Sequence, residues 1–340
     1  NFFDTKISQS TSFPYYFNLD QDKELTFTPI INYGGGVDSS QRFNFDYNQL
    51  LSGGKFKSNL TIDSTFENQN SNKWLKEGSI INNYSKNVNE KFNIQINSAL
   101  QTSKNYIQRT TPNDDLSYAS SLSSALTVNG YNLKKIDDKL KFNITTYHSN
   151  QNNEDNKTIP TVLPYITYNT GLYNFKNYKY YNVLEFYNIF RDTPTEIHSK
   201  SQRKLSSTIS LKNEFINFGT QIKYKANIYN QYFDVENKKI DNKDVESTYV
   251  RSFPIFGVDL ETPFKIKNSR SKLIYTPKIS FVVSPGQSNS NKISNEDSSV
   301  NSYTIEDNSS LNRFAGTDKL DNSKRINLEF GIKNKNISSK

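Results

Sequence analysis

The sequence has no cysteine and only two histidines, His148 and His198, among its 340 residues. The absence of cysteine excludes disulfide bonds, cysteine-ligated zinc and a thiol nucleophile. Two isolated histidines offer little for histidine-based catalysis or metal binding, and no usable base lies near the serines and paired carboxylates in sequence. The sequence therefore predicts no enzyme active site, no metal site and no cofactor.

Long hydrophobic segments are also missing. No run reaches the ~18 consecutive apolar residues of a membrane-spanning helix. No stretch of about fifteen residues keeps the spacing of three and four residues that an amphipathic helix needs. We therefore expect almost no helix, and the chain can cross a membrane only as a β-barrel.

The composition is polar and aromatic at the same time. Hydrophobic residues make up 34% of the chain, whereas 23 Phe and 22 Tyr bring the aromatic share to 14%. Disordered chains are poor in aromatic residues, so disorder is disfavoured. The net charge of +8 comes from basic residues spread along the chain. Because no basic patch with a recognisable module is present, nucleic-acid binding is also disfavoured.

The dominant pattern is an alternation of apolar and polar residues with a period of two, which is typical of amphipathic β-strands. Between Lys55 and Phe66, for example, Phe56, Leu60 and Ile62 alternate with polar residues, and similar segments recur along the chain. The turn-forming runs between such segments include Gly34–Gly36, Asn68–Asn72, Gln151–Asn156 and Asp234–Asp244. Strands of about ten residues with connections of similar length predict roughly fifteen antiparallel strands.

Two short motifs could suggest a ligand. Gly34–Gly36 leads into another strand and not into a helix, so we interpret it as a turn and not as a phosphate loop. The acidic run Asn295-Glu296-Asp297 lacks the glycine and the closing glutamate of a calcium loop. We expect it to be a solvated loop.

Amphipathic strands in this number fit either a soluble sandwich or β-helix, or an outer-membrane barrel. The apolar positions are diluted by Ser, Thr and Ala, and the polar positions carry long Lys and Gln side chains. Tyr recurs at the predicted strand margins, as at Tyr47 and Tyr147. These features favour an all-β fold, an antiparallel transmembrane β-barrel of the outer-membrane type. We expect residues 1–340 to form one barrel domain, which is an incomplete part of a larger barrel, in the bacterial cell outer membrane.

Two prolines, Pro14 and Pro29, lie inside apparent strands. Each proline removes a hydrogen-bond donor from the strand ladder and so weakens pairing with a neighbouring strand. The alternative is that each proline marks only a strand start or an edge position.

Four segments carry recognisable motifs, namely Phe13-Pro14-Tyr15-Tyr16-Phe17-Asn18-Leu19 with Leu25-Thr26-Phe27-Thr28-Pro29, Ser252–Asp259, Tyr275-Thr276-Pro277-Lys278 and Leu311–Lys319. These segments resemble the lipopolysaccharide-assembly family LptD. The last segment is similar to the family's "NRFSGYDR" pattern, with Ala315, Thr317 and Lys319 as departures. We expect the chain to depart from the family by lacking the N-terminal jelly-roll and the last strands, and it has none of the cysteines of some members.

The resemblance implies an outer-membrane translocon that assembles lipopolysaccharide into the outer leaflet. It implies a plug lipoprotein, LptE, a periplasmic bridge protein, LptA, and contact with outer-membrane lipid. It also implies that lipid leaves through a lateral gate between the first and last strands, for which Pro14 and Pro29 are the candidates. A generic porin or a receptor-type outer-membrane β-barrel remains the alternative function.

The second candidate site is the segment that resembles the "NRFSGYDR" pattern. Its predicted loop or plug contacts are Arg313, Phe314, Gly316, Asp318 and Lys319. The mixture of charged residues with Phe and Gly fits a structured loop packed against the lumen wall or the plug. The alternative is an ordinary solvated hairpin loop.

Overall fold

The computed structural model of the chain describes residues 9–33, 40–67, 73–110, 115–151, 153–241, 243–267, 271–298 and 309–336. These residues contain 18 β-strands, one short α-helix and two 3-10 helices. Every pairing with a described register is antiparallel. The prediction of an all-β antiparallel fold with almost no helix is confirmed. The turn-forming runs at 34–36 and 68–72 lie outside the described residues.

The chain divides into two compact units. The first unit consists of Asn1–Tyr131 and Lys141–Tyr165, and the second of Asn132–Leu140 and Ile166–Lys340. The strands of the first unit are β1 Gln9–Ser12, β2 Tyr15–Asp20, β3 Lys23–Tyr33, β4 Ser40–Leu51, β5 Gly54–Glu67, β6 Lys73–Asn87, β7 Phe92–Gln101 and β8 Ser121–Tyr131. Strand β9, Lys139–Ser149, also belongs to it except for Lys139 and Leu140. Strands β3 to β8 pair in chain order, while β1 and β2 both pair with β3.

The helical segments are short. Helix α1 spans Tyr106–Thr110, and the 3-10 turns span Asp115–Tyr118 and Asn156–Thr158. Tyr106 and Ile107 of α1 are buried against Ala99 and Leu122. No helix among the described residues has the length and the apolar character needed to cross a membrane.

In the second unit, strands β11 to β15 also pair in chain order. Strand β10, Thr161–Asn169, spans the division between the units. The remaining strands are β11 Tyr173–Phe175, β12 Tyr178–Phe190, β13 Ser201–Asn217, β14 Thr220–Ile240, β15 Lys243–Glu261, β16 Phe264–Lys267, β17 Ser271–Val283 and β18 Lys324–Asn336. Strands β15 and β16 both pair with β17, which in turn pairs with β18. Such shared partners explain why 18 segments replace the roughly fifteen predicted strands.

The turn-forming run Asp234–Asp244 contains the turn between β14 and β15, at Asp241, but most of the run is strand. Strand β14 continues to Ile240, and β15 begins at Lys243. The extended run is accommodated by a register shift between Val235 and Lys238, where Asn237 adopts a left-handed φ of 50°. Asparagine tolerates this conformation, so a run of polar residues that looks like a turn becomes a bulge within a long hairpin.

Each unit has an apolar face and a polar face. On the apolar face of the second unit, Leu205, Tyr232 and Val250 lie in one row across β13, β14 and β15. Val250 is 69% exposed, whereas Lys204 on the polar face of β13 is fully buried. A soluble sandwich buries its apolar face and exposes its lysines. The observed pattern is the reverse, as expected for strands that turn an apolar face to lipid.

Candidate functional site

The first candidate site is one sheet edge of the first unit, taken by itself. Strands β1 and β2 pair with successive parts of β3, and Pro14 lies in the gap between them. All residues of β2 are exposed. Pro14 therefore lies where the edge strand is interrupted, between β1 and β2.

Each of the two prolines lacks a backbone N–H donor, and the two missing donors lie on different sides of the edge strand. The backbone N–H of Phe13 donates to the carbonyl oxygen of Pro29 at 3.2 Å. In an antiparallel ladder a residue directs its N–H and C=O to the same neighbour, and the next residue directs them to the opposite side. Pro29 therefore leaves the Phe13–Pro29 pair with a single hydrogen bond. Pro14 lacks its N–H on the side of the edge strand that faces away from β3.

The second candidate site is the connection between β17 and β18, which folds over the polar face of β12 to β15. Its described parts are residues 284–298 and 309–323. Leu311 and Leu320 belong to a buried apolar cluster with Tyr229 and Ile255 of the strands. Apolar packing therefore holds the connection against the sheet independently of any charged contact.

Lys204 is the centre of a buried polar cluster beneath this connection. Its ammonium nitrogen lies 2.7 Å from a carboxylate oxygen of Glu185, 2.7 Å from Asp297 and 3.0 Å from Asp318. It also donates to the Thr317 hydroxyl at 2.6 Å. One strand lysine therefore binds two carboxylates of the connection and one of β12. Such a buried charge is tolerated only because it is fully paired.

Asp297 and Asp318 tie the two parts of the connection together. The Asp318 carboxylate accepts backbone N–H groups from Glu296 at 2.8 Å and Asp297 at 3.1 Å, and the Asp297 carboxylate accepts those of Thr317 and Asp318. A Cβ atom at Gly316 would lie 2.3 Å from the carbonyl oxygen of Asp297. Only glycine allows this close approach of the two backbone segments.

The expectation that Asn295–Asp297 forms a solvated loop is wrong. Glu296 forms an ion pair with Arg191 at 2.6 Å, and both side chains are almost completely buried. The backbone of Ser294 exchanges two hydrogen bonds with the buried side-chain amide of Gln202, at 2.8 and 3.0 Å. The acidic run is therefore packed against the sheet. The sequence did not reveal this, because the partners of the run lie about a hundred positions away.

Burial and charge move the carboxylate pKa values in this connection in opposite directions. Burial raises the pKa of Asp318 to about 6, because the Lys204 ammonium only partly offsets burial and the neighbouring Asp297 charge adds to it. For Glu296, burial is outweighed by hydrogen bonds from His198 and Arg191, which lower its pKa to about 2. Burial alone would raise the pKa of Asp297, but the charge of Lys204 together with hydrogen bonds from Lys204, Ser298 and the Asp318 backbone lowers it.

The predicted loop residues all lie in this connection, with different surroundings. Asp318 is 1% exposed and accepts a hydrogen bond from the Tyr187 hydroxyl at 2.8 Å. Arg313 forms an ion pair with Asp321 and so stabilises the connection itself. Phe314 is half-buried, and the backbone N–H of Lys319 donates to Ser298 at 2.9 Å. The alternative of a solvated hairpin loop does not describe a segment with these contacts.

Several residues that hold the connection were not singled out in the sequence. They are Tyr187, Arg191, Gln202, Lys204 and Arg251. Arg191 directly follows the end of β12, and the other four occupy inward-facing positions of alternating strands, where the sequence looks the same whether water or a loop covers the residue. Within the described residues, no group of three or more His, Cys, Asp or Glu side chains could hold a metal ion.

Comparison with protein families gives one match. Residues 76–332 match the family described as LptD, LPS transport system D. The chain belongs to the LptD family. No curated protein matches the chain. LptD proteins are outer-membrane β-barrels that act in lipopolysaccharide transport, which agrees with the exposed apolar face and the strand-only architecture.

The LptD match includes only one of the two candidate sites. It covers Arg313–Lys319 and the strands beneath them, whereas Pro14 and Pro29 precede its first residue, Lys76. The roles predicted for the prolines therefore depend on the local ladder geometry and on the resemblance of their own segment to LptD.

Proposed function

We propose that this protein releases lipopolysaccharide into the outer leaflet of the outer membrane through a lateral gate at the β1–β2 edge. The observation that carries the proposal is the position of the two prolines, which remove donors on both sides of the edge strand. Membership in the LptD family supplies the substrate class, lipopolysaccharide.

The missing donors lower the cost of parting the edge strand from its neighbours. One ladder hydrogen bond contributes on the order of 0.5–1.5 kcal/mol net in water. The contribution is larger in hydrocarbon, where no water replaces the lost partner. An edge that lacks such bonds can therefore open while the rest of the sheet remains paired.

The proposal includes the partners implied by the family resemblance. LptE is the expected plug, and LptA is the expected periplasmic bridge that delivers lipid. The connection between β17 and β18 supports a plug contact because it presents a rigid, hydrogen-bonded surface from Leu311 to Asp321 on the polar side of the sheet. A plug can dock on such a surface with a small loss of conformational entropy.

The decisive variant is Pro14→Ala in the full-length protein. Restoring the N–H on the outer side of the edge strand is expected to stiffen the gate and to slow delivery of lipopolysaccharide to the cell surface several-fold. Surface lipopolysaccharide is measured by pulse labelling and accessibility to an external modifying enzyme. Pro254→Ala, a change at a strand proline of the second unit, is the matched control. Delivery by Pro14→Ala at the rate of the control would remove Pro14 from the mechanism.

A further inference from the structure

The apolar face of the first unit contains a groove with a glycine floor. Leu60, Ile62, Ile80 and Leu100 line its sides, and its volume is about 430 Å³. The floor is Gly78, where an added Cβ would lie 2.4 Å from the carbonyl oxygen of Thr61. The depression is therefore built into the backbone, because no side chain can fill it without moving β5.

The hydrogen bonds at one end of the groove fix its shape. The backbone N–H of Gly78 donates to the Thr102 hydroxyl at 2.8 Å, and the backbone N–H of Thr102 donates to the carbonyl oxygen of Gly78 at 3.0 Å. These bonds close the β6–β7 pairing beyond its last strand pair, Ser79–Gln101. The groove thus has a rigid floor, while Ile62 and Leu100 at its sides are 46% and 44% exposed.

A single cation lies at the same end. Lys76 lines the groove, two residues before Gly78 on the same face of β6. The neighbouring Glu77 is neutralised by Arg109, whose guanidinium lies 2.9 Å from its carboxylate. Within the side chains that the structure describes, Lys76 forms no ion pair. The groove is therefore apolar along its length and positive at one end.

The position of the groove relates it to one leaflet. Within the first unit, the β2–β3, β4–β5 and β6–β7 connections are short, whereas the connection after β7 runs to β8 at Ser121. Lys76 and Thr102 lie at the end of the sheet from which the long β7–β8 connection leaves. Outer-membrane barrels place short turns in the periplasm and long loops outside the cell. On the proposed function, the groove therefore opens toward the outer leaflet.

We propose that this groove binds one acyl chain of an anionic, phosphate-bearing lipid, with Lys76 at the phosphate. The inference rests on the proposed function for its orientation only. An acyl chain matches the four aliphatic side chains. A lysine with its stem along an apolar surface and its charge at the membrane interface is suited to a lipid phosphate. Bilayer phosphatidylglycerol and lipopolysaccharide share this chemistry.

The test measures lipid retention by the purified full-length protein. The protein is reconstituted in phosphatidylcholine nanodiscs that contain either lipopolysaccharide or phosphatidylglycerol, and bound lipid is counted by native mass spectrometry. Lys76→Gln is expected to weaken retention of the anionic lipid about three- to tenfold, the effect of one partly exposed charge pair. Lys86→Gln is the matched control, because Lys86 lies on the same face of β6 at the short-turn end.

A second pair of variants tests the apolar part. Leu100→Trp fills the groove and is expected to reduce retention of both anionic lipids at least twofold. Ile96→Trp introduces the same side chain on the same face of β7, outside the groove, and should not reduce it. Heat-modifiable migration of each variant shows that the strands remain folded.

The outcomes separate the lipid sources. Retention of lipopolysaccharide alone identifies the transported lipid as the ligand, and retention of phosphatidylglycerol alone identifies the surrounding bilayer. Equal losses in Lys76→Gln and Lys86→Gln, equal losses in the two Trp variants, or no retention of either anionic lipid by the unchanged protein would overturn the proposal. The assay involves no transport, so these results are independent of the Pro14→Ala experiment.

Discussion

Lys204 holds three carboxylates although its side chain has no contact with water. In Lys204→Met the side chain keeps its approximate length, but Glu185, Asp297 and Asp318 face one another without a counter-charge. Breaking a buried ion pair in this way costs about 3–5 kcal/mol. We expect the β17–β18 connection to leave the sheet, which hydrogen exchange of the Glu296 and Asp297 amides measures directly.

Lys212→Met is the control for this experiment. Lys212 lies on the same face of β13 as Lys204 but is exposed. Unchanged exchange in both variants would mean that apolar packing alone holds the connection.

Arg313 forms an ion pair with Asp321 inside the connection. Arg313→Ala leaves Asp321 with Arg325 as its remaining charged partner, at 3.3 Å. We expect a looser segment and weaker retention of the plug lipoprotein or a lower yield of folded barrel, measured by co-purification and heat-modifiable migration. Arg203→Ala, which removes a half-exposed arginine paired with Asp234, serves as the control. Plug stoichiometry equal to that control would show that Arg313 has no role in the contact.

The carboxylates give the connection a pH dependence with two opposite parts. The pKa of Asp318 is about 6 when folded and near 3.8 when unfolded, so this group stabilises docking increasingly as pH falls from 7 toward 4. The pKa of Glu296 is about 2 when folded and 4.5 when unfolded, so its contribution is present above 4.5 and lost as pH falls toward 2. Each contribution is on the order of 3 kcal/mol.

The contact between the β17–β18 connection and the sheet should therefore be most stable at about pH 4–5. Proteolysis of the connection at about pH 7, 5 and 3 measures this dependence, and Asp318→Asn should abolish the gain between pH 7 and 5. Protection that decreases steadily from pH 7 to 3 in the unchanged protein would contradict the assignment of Asp318.

At the scale of strands, the two prolines predict separable effects. Pro29→Ala restores a donor toward the carbonyl group of Phe13, so the Phe13–Pro29 pair gains its second bond and exchange of the Phe13 amide should slow. Pro14→Ala restores a donor on the opposite side and should leave that amide nearly unchanged. Hydrogen exchange of β1 to β3, resolved by residue, makes the comparison. A slower Phe13 amide in both variants would show that the edge strand does not alternate as an ordinary ladder.

The strands themselves could be predicted from the sequence because the period of two is a local property, as between Lys55 and Phe66. The length of β14 could not be predicted. The polar run around Asn237 has the composition of a turn, but Asn237 lies in a bulge within the strand. The contacts of Asp297 and Asp318 with Lys204 were also beyond local reasoning. These residues lie far apart in sequence, and only the way in which the connection folds back over the sheet brings them together. The residues next to them in sequence give no sign of this contact.

For the whole molecule, the exposed apolar face and the covered polar face together predict a low conductance. The β17–β18 connection occupies the polar side of β12 to β15, where a porin would hold water. Replacing residues 285–323 by a short linker should raise single-channel conductance in a planar bilayer. Deletion of residues 299–308 alone, which lie outside the described residues, keeps every described contact and serves as the control. Equal conductance of the two deletions would show that the connection does not limit ion flow.

The place of Lys204 in chain order has a consequence for biogenesis. The ribosome makes Lys204 93 residues before it makes Asp297, and Asp318 follows later still, so the lysine has two of its three carboxylates only after both parts of the connection have been synthesised. Contacts of such long sequence separation form late in folding. A nascent or truncated barrel therefore leaves Arg191, Lys204 and Arg251 uncovered, three cations that the finished protein buries under the connection.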